Sequence, residues 1–350
     1  MNLKKLKQTL HEIRYFKKII KKYGDFLLQG RYRLFPSLRA IVNDNAQSVE
    51  KAKPYFEKNK GASKTASLIN KINKTNYYFN KRKCALGKYE AVYSANNYDK
   101  VREIKLFSFA QKEILTVCTD KKTCGKQILQ YETLHNYFGM PRVDKFDEIE
   151  NAYKISMVEV LTRPSDDDAL KDIIECTLKV REENYANLKR KTVSEILNFD
   201  SESEEAREML SELASKLTPD MLGAELPTCF QHGDLSRDNL IYGKCEDVTG
   251  FWWIDWEHAR DRVFFYDYFF YVLNTAMYFS DKSALNSYLS GKYDDCLTNW
   301  FEQFGITYDA SCRKEYFIVF AIDFLKQRVS ALGNIKALKN YCDFIKEIIK

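Results

Sequence analysis

The sequence predicts an α+β protein of two lobes, a small lobe built on an antiparallel sheet and a larger, mostly helical one, behind a basic helical N-terminal extension. Three observations carry this. Short runs rich in Tyr, Val, Ile and Phe, parted by turn or charged residues, follow one another from about residue 77 to 160. Beyond residue 166 the apolar spacing becomes helical. Charge is also unevenly placed: residues 1–75 hold 18 Lys/Arg against 5 Asp/Glu, a surplus of 13, so the rest of a +6 chain carries −7. The boundaries that follow are 1–75 for the extension, 76–160 for the strand-rich lobe and 161–350 for the helical lobe.

Leu3, Leu6, Leu10, Ile13, Phe16, Ile20, Tyr23 and Leu27 recur every three or four residues with lysines between them, predicting an amphipathic helix that ends near Gly24 or Gly30. Its apolar stripe has two readings: docking on the main domain, or contact of residues 1–30 with an anionic membrane surface or another acidic partner. Residues 43–75 read as a polar connector with some helix. Strands are expected at Tyr77–Leu86, Glu90–Ser94, Val101–Phe109, Glu113–Cys118 and Ala152–Leu161. A helix over Lys126–Phe138 is stopped by Gly139 and Pro141. The chain passes into its helical part near Glu159–Arg163. Helical patterns then cover 166–217, 264–290, 313–332 and 335–349, with two short strands inside 228–257.

At 350 residues, with 23 Tyr and 23 Phe, the chain can bury a substantial core. Its nine cysteines form no C-x-x-C pair and no secretory pattern precedes them, which predicts reduced thiols and a cytoplasmic setting, with the inner membrane surface open to the basic helix. No apolar run approaches the ~18 residues of a membrane span. The basic N-terminus arrives without a recognition module, so no specific nucleic-acid partner is expected. Oligomeric state is not legible.

The chemistry is concentrated in two motifs: His232-Gly-Asp234-Leu-Ser-Arg-Asp-Asn239, and Ile254-Asp255-Trp-Glu257. The first supplies a carboxylate and, five residues on, an amide oxygen; the second supplies another carboxylate at the end of a strand-like run. A transferring γ-phosphoryl group needs such a set: a carboxylate to orient the attacking hydroxyl, and oxygen ligands for a magnesium ion. Asp267 is either an anchor under this loop or an ordinary first-turn helix acid. Arg237 reaches a phosphate or lies on the surface. Trp252, Trp253, Trp256 and the run Phe264–Tyr271 read as core packing ahead of an aromatic cage.

In these two motifs the sequence resembles the aminoglycoside phosphotransferase and choline kinase family, built on the protein-kinase-like fold. His232, Gly233, Asp234, Asn239, Asp255 and Glu257 match at family spacing, and the architecture matches over roughly 80–345. The resemblance implies ATP and Mg2+, with Asp234 as the catalytic carboxylate and Asn239 and Asp255 as metal ligands. His232 would shape the loop rather than exchange protons, and Glu257 would support either the metal shell or the Asp255 loop. In the nucleotide half, Leu86-Gly87-Lys88-Tyr89 looks like a phosphate-covering turn reduced to Gly87. Lys105 would pair with the phosphates, held by Glu132, with Lys121 or Lys122 as substitutes if Glu113–Cys118 is the true lysine strand. Main-chain groups of Glu159–Leu161 would meet the adenine edge.

A protein kinase is excluded, because its activation segment ends in Ala-Pro-Glu and no proline follows Pro227. The expected acceptor is a hydroxyl of a small molecule or glycan, such as a sugar, amino alcohol or aminoglycoside. A catalytically inactive nucleotide-binding or scaffold protein is the alternative.

Overall fold

The computed structural model describes residues 3–35, 39–56, 78–81, 87–95, 103–184, 188–198, 203–332 and 335–349. The chain divides into two compact units, Met1–Arg163 with Ile241–Ile254, and Pro164–Leu240 with Asp255–Lys350.

The first unit contains α1 (Leu3–Tyr23), β1 (Gly30–Phe35), β2 (Ala40–Asn43), α2 (Ala46–Phe56), β3 (Tyr78–Lys81), β4 (Ala91–Ala95), β5 (Glu103–Ser108), β6 (Glu113–Cys118), α3 (Lys121–Leu134), β7 (Val143–Lys145) and β8 (Ala152–Ser156). Its strands form one eight-stranded antiparallel sheet in the order β3-β1-β2-β4-β5-β6-β8-β7. Successive side chains alternate between its faces. Ile41 and Leu106 join the apolar cluster that contains α1, while Ala40, Val42 and Phe107 join another with Ala52 of α2.

Two of these strands, β1 and β2, lie where the sequence reading placed only a helical extension and connector. The pattern hides them: Arg31 and Arg33 break the apolar signal of β1, and both sit beside Asp44, the second at 2.8 Å. The expected boundary at 75/76 and most of the 43–75 connector lie outside the described residues. Helix α1 docks its stripe: Phe16, Ile19 and Tyr23 are buried with Leu34, Ile41 and Leu115, while Lys17, Lys18, Lys21 and Lys22 remain exposed. From Ile13 to Tyr23 the apolar side is therefore core and is not available to a membrane. Among the described residues no helix is long and apolar enough to cross one. Helix α3 begins five residues earlier than its apolar spacing suggests, because the Asp120 side chain caps it by accepting the Thr123 N–H.

Three short strands, β9 (Glu159–Val160), β12 (Leu240–Cys245) and β13 (Val248–Trp253), form a separate sheet in the order β13-β12-β9. The second unit runs α4 (Asp166–Asn184), β10 (Lys189–Thr192), α5 (Val193–Ile196), α6 (Glu204–Ala214), α7 (Pro219–Gly223), β11 (Glu225–Gln231), β14 (Arg260–Val263), α8 (Tyr266–Tyr278), α9 (Ser283–Leu289), α10 (Asp294–Gln303), α11 (Arg313–Leu332) and α12 (Ile335–Ile349). Strands β10, β11 and β14 make a third sheet, with β11 central. Helix α8 is buried from Tyr266 to Leu273, and Phe264, Phe265 and Phe269 pack against Trp300, Phe301, Phe317 and Phe320. The aromatic run is core, as are Trp252, Trp253 and Trp256.

Candidate active site

Antiparallel pairing brings the two motifs together. Strand β11 ends at Gln231, which pairs with Arg260 at the start of β14. The loop that leaves β11 at His232 and the segment 255–259 that enters β14 therefore start from the same end of one sheet. They interlock there. The Trp256 ring, 2 % exposed, lies 4.7 Å from the buried His232 ring. Gly233 has φ +82°, and a Cβ there would stand 2.5 Å from the His258 carbonyl oxygen, so only glycine fits this crossing.

Asp234 has its two carboxylate oxygens in different company. Oδ1 accepts from Arg328 Nη2 at 3.0 Å, and Oδ2 lies 3.4 Å from Asn239 Nδ2. The Asn239 amide donates at 2.8 Å to the Asp234 backbone carbonyl. A carbonyl can only accept, so the nitrogen must face inward and Oδ1 is the amide's outward end. Burial pushes the Asp234 carboxyl above its ordinary value, and the Asp255 charge adds to this against the pull of Arg328 and His258. The His258 imidazole is raised by its hydrogen bond to Glu257, 3.1 Å away. Asp255 itself is held at φ +69°, ψ +60°, left-handed backbone that is uncommon outside glycine and asparagine. Such conformations concentrate where a side chain must be aimed.

Beneath the loop lies Asp267, 2 % exposed in the first turn of α8. Its carboxylate accepts the His232 N–H at 2.6 Å and the Gly233 N–H at 2.8 Å, while its own N–H donates to Gln231 Oε1. Both sequence readings of Asp267 hold at once: it is a first-turn acid and it is the anchor. His232 Nδ1 accepts the Asp234 N–H at 3.2 Å, so the ring's proton sits on Nε2 and the residue shapes the loop. Arg237 neither lies free on the surface nor stands ready for a phosphate. Its guanidinium is forked onto Asp166 and also meets Asp281 at 2.7 Å, tying the loop to the start of α4.

Among the described residues no three His, Cys, Asp or Glu side chains are grouped as a metal site. The metal ligands that the two motifs are expected to supply are one carboxylate, Asp255, and one amide, Asn239. Mg2+ is commonly held by one or two carboxylates together with substrate phosphates and waters, so this sparse set fits a magnesium that arrives with a nucleotide and does not fit a resident metal cage.

In the first unit, Lys105 is on β5, and Glu132 is not the carboxylate found beside it. The Lys105 ammonium lies 2.9 Å from Glu103, two residues away on the same face of β5. Glu132 is on an exposed position of α3, and the α3 side chain that reaches Glu103 is Gln127, at 3.4 Å. One carboxylate beside the lysine thus comes from its own strand, because the period of two puts residues 103 and 105 side by side. Lys121 and Lys122 are exposed in the first turn of α3. Gly87 is explained by packing: a Cβ there would meet the Leu27 carbonyl oxygen at 1.8 Å. Gly87→Ala is expected to lower stability by about 1–3 kcal/mol through overpacking, read from the urea midpoint; an unchanged midpoint would mean that this crossing is absent. Glu159 is exposed beside Lys112, and the Leu161 N–H bonds to Tyr242 O. Strand alternation then turns the Val160 amide and carbonyl away from β12.

Arg328 and Arg262 were not foreseen. Arg328 lies 94 residues from Asp234, and Arg262 is buried against Asp323, Gln327 and the Tyr266 ring. Neither belongs to a local pattern: the fold of α11 brings Arg328 to the loop, and the β11–β14 pairing brings Arg262 there.

Comparison with known proteins adds a family match. The phosphotransferase enzyme family (APH) matches residues 160–294, a segment that carries both motifs, and the resemblance read from those motifs is met there independently. Among curated proteins nothing matches the chain. Among solved structures it is similar to an amicoumacin kinase in complex with AMP-PNP and Ca2+, at 10% identity over 73% of this chain and 88% of that chain, TM-score 0.45. It is also similar to a choline kinase from Streptococcus pneumoniae, at 12% identity over 82% and 99%, TM-score 0.45. An aminoglycoside phosphotransferase gives 10% identity over 74% and 92%, TM-score 0.42.

Proposed function

We propose that this chain, whose residues 160–294 match the phosphotransferase enzyme family, is an ATP-dependent kinase that moves a γ-phosphoryl group to the hydroxyl of a small molecule or glycan, such as a sugar, amino alcohol or aminoglycoside. The observation that carries this reading is the meeting of Asp234, Asn239 and Asp255 at one end of the β11–β14 pair.

In this reading Asp234 accepts a hydrogen bond from the acceptor hydroxyl and takes its proton as the oxygen attacks phosphorus. Asn239, through the oxygen that is not turned to the Asp234 carbonyl, and Asp255, on its left-handed turn, would hold Mg2+, which when bound would neutralise charge on the nucleotide's phosphates. His232, Gly233 and Asp267 keep the loop in shape. Nucleotide binding is assigned to the strand-rich residues 76–160, with Lys105 at the phosphates and the Val160 main chain at the adenine edge. Catalysis and acceptor binding are assigned to 161–350. An inactive, nucleotide-binding relative is the second reading, favoured by one observation: Gly87 is absorbed by packing against Leu27.

The test is turnover of γ-labelled MgATP with a panel of amino alcohols, sugars and aminoglycosides. The expected result is a labelled phosphomonoester from one acceptor class, dependent on Mg2+. Nucleotide binding with neither transfer nor hydrolysis would leave the second reading.

A further inference from the structure

The kinase reading leaves a charge unaccounted for. In-line transfer moves negative charge onto the equatorial oxygens of the phosphoryl group, and such sites commonly place an arginine there. The loop's own arginine, Arg237, is engaged by Asp166 and Asp281. Arg262 is engaged by Asp323 and Gln327. The arginine that stands at the reacting carboxylate, beside His258, comes from elsewhere in the chain, from α11.

We infer that Arg328 is a catalytic residue of the phosphoryl transfer, its guanidinium contacting the transferring group from the side of Asp234. The inference rests on the kinase reading and extends it to a residue outside the segment 160–294 that matches the family. Its geometry follows from Asp234. A hydroxyl served by that carboxylate lies roughly 2.6–3.2 Å from it, and phosphorus stands roughly 3–3.5 Å beyond in a near-attack arrangement. Arg328 Nη2 is already 3.0 Å from Asp234 Oδ1. A phosphoryl group seated on the Arg328 side of Asp234 therefore has the guanidinium within a side-chain movement of its oxygens.

Three further features suit the role. Arg328 bonds Oδ1, while Oδ2, which accepts at 3.4 Å from Asn239 Nδ2, keeps a lone pair for the acceptor hydroxyl. Its guanidinium is braced by the Phe324 and Phe270 rings, 5.3 and 6.0 Å from their centroids, so it is held in place before substrate arrives. The fork is also unsaturated: its side chain remains 25 % exposed, and its buried Nε–H has no hydrogen-bond partner. In the step itself the acceptor oxygen forms a bond to γ-phosphorus and the bond from phosphorus to the β–γ bridging oxygen breaks. The hydroxyl proton passes to Asp234, ADP leaves with the bond's electron pair, and Arg328 carries a hydrogen bond without exchanging a proton.

The experiment does not need the acceptor, since water can take its place to give ADP, phosphate and a proton. MgATP hydrolysis would be measured for wild type, Arg328→Gln and Arg328→Lys. Calorimetry would compare binding of MgADP alone with MgADP plus aluminium fluoride, which imitates the planar phosphoryl group. Arg328→Gln is expected to lower hydrolysis about 10³-fold, the low end of what such an arginine contributes. MgADP affinity should stay within about three-fold, the extra affinity conferred by aluminium fluoride should disappear, and Arg328→Lys should recover part of both. A structural brace would instead lower both affinities together, which would overturn the inference, as would wild-type hydrolysis in Arg328→Gln. If Arg328→Gln does not fold, Arg328→Lys and Arg328→Met decide on the same readings. A wild type that neither binds MgADP nor hydrolyses ATP removes the kinase reading and this role together; an active wild type indifferent to Arg328 removes this role alone.

Discussion

Asp234→Asn is expected to lower phosphotransfer to an alcohol by about 10²–10⁴-fold, the range general-base catalysis contributes, while MgATP binding changes only a few-fold. The substitution keeps the size of the side chain and an oxygen that can still accept from Arg328 Nη2, which now lies 3.0 Å from Oδ1. It removes the group that takes the proton. Because the lost interaction exists in the transition state and hardly in the ground state, kcat and kcat/KM should fall together with KM nearly constant. Stability should change little or rise, because burial already disfavours the charged form at this position. Phosphotransfer kinetics at saturating MgATP, set beside thermal unfolding of both proteins, checks all of this. Transfer at wild-type rate would remove Asp234 from the chemistry and the kinase mechanism with it.

Legibility varied with how local the cause was. Strand β6 was read to the residue, because Glu113–Cys118 is a short β-branched run with turns on either side. Strand β10, Lys189-Arg-Lys-Thr192, was read as helix: its side chains face water and it exists because it pairs with β11. The motifs at 232–239 and 255–257 were legible because their chemistry demands fixed residue types at fixed spacing. Their meeting is what the resemblance implies; the Gln231–Arg260 register that produces it is not legible in the sequence. Glu132 is expected beside Lys105 and the structure has Glu103 there; two residues apart on a strand is a closer relation than any helix at the expected place supplies. Arg328 left no trace in the sequence, being one arginine in a long helix. Asp267 was half legible, its place in the first turn of α8 visible and its hold on the loop not.

That hold gives the protein a pH signature. Burial raises the Asp267 carboxyl from an ordinary value near 3.8 to about 6; the N–H groups of Gly233 and His232 and the charge of Arg262 pull it down, and Asp234 adds to the rise. A carboxyl whose folded pKa lies above its unfolded one stabilises the fold below the unfolded value and loses that contribution as pH rises through the folded value. Asp267 should therefore add about 1.4 kcal/mol to stability on going from pH 7.5 to pH 5. Asp267→Asn, which does not titrate, should lack that increment, so the stability gap between wild type and variant widens by this amount, measured by urea unfolding at the two pH values. A gap that stays constant would show that the carboxyl titrates at its ordinary value. The variant should be less stable at both, because an amide offers one accepting oxygen where two buried N–H groups need acceptors, and an unsatisfied one costs about 1–3 kcal/mol. Function should run the other way. Only the ionised carboxylate accepts fully from both His232 and Gly233, so lowering pH through about 6 loosens the loop that carries Asp234 even as the fold gains stability. The buried charge is thus a standing expense to the fold that keeps the loop in working shape near neutral pH.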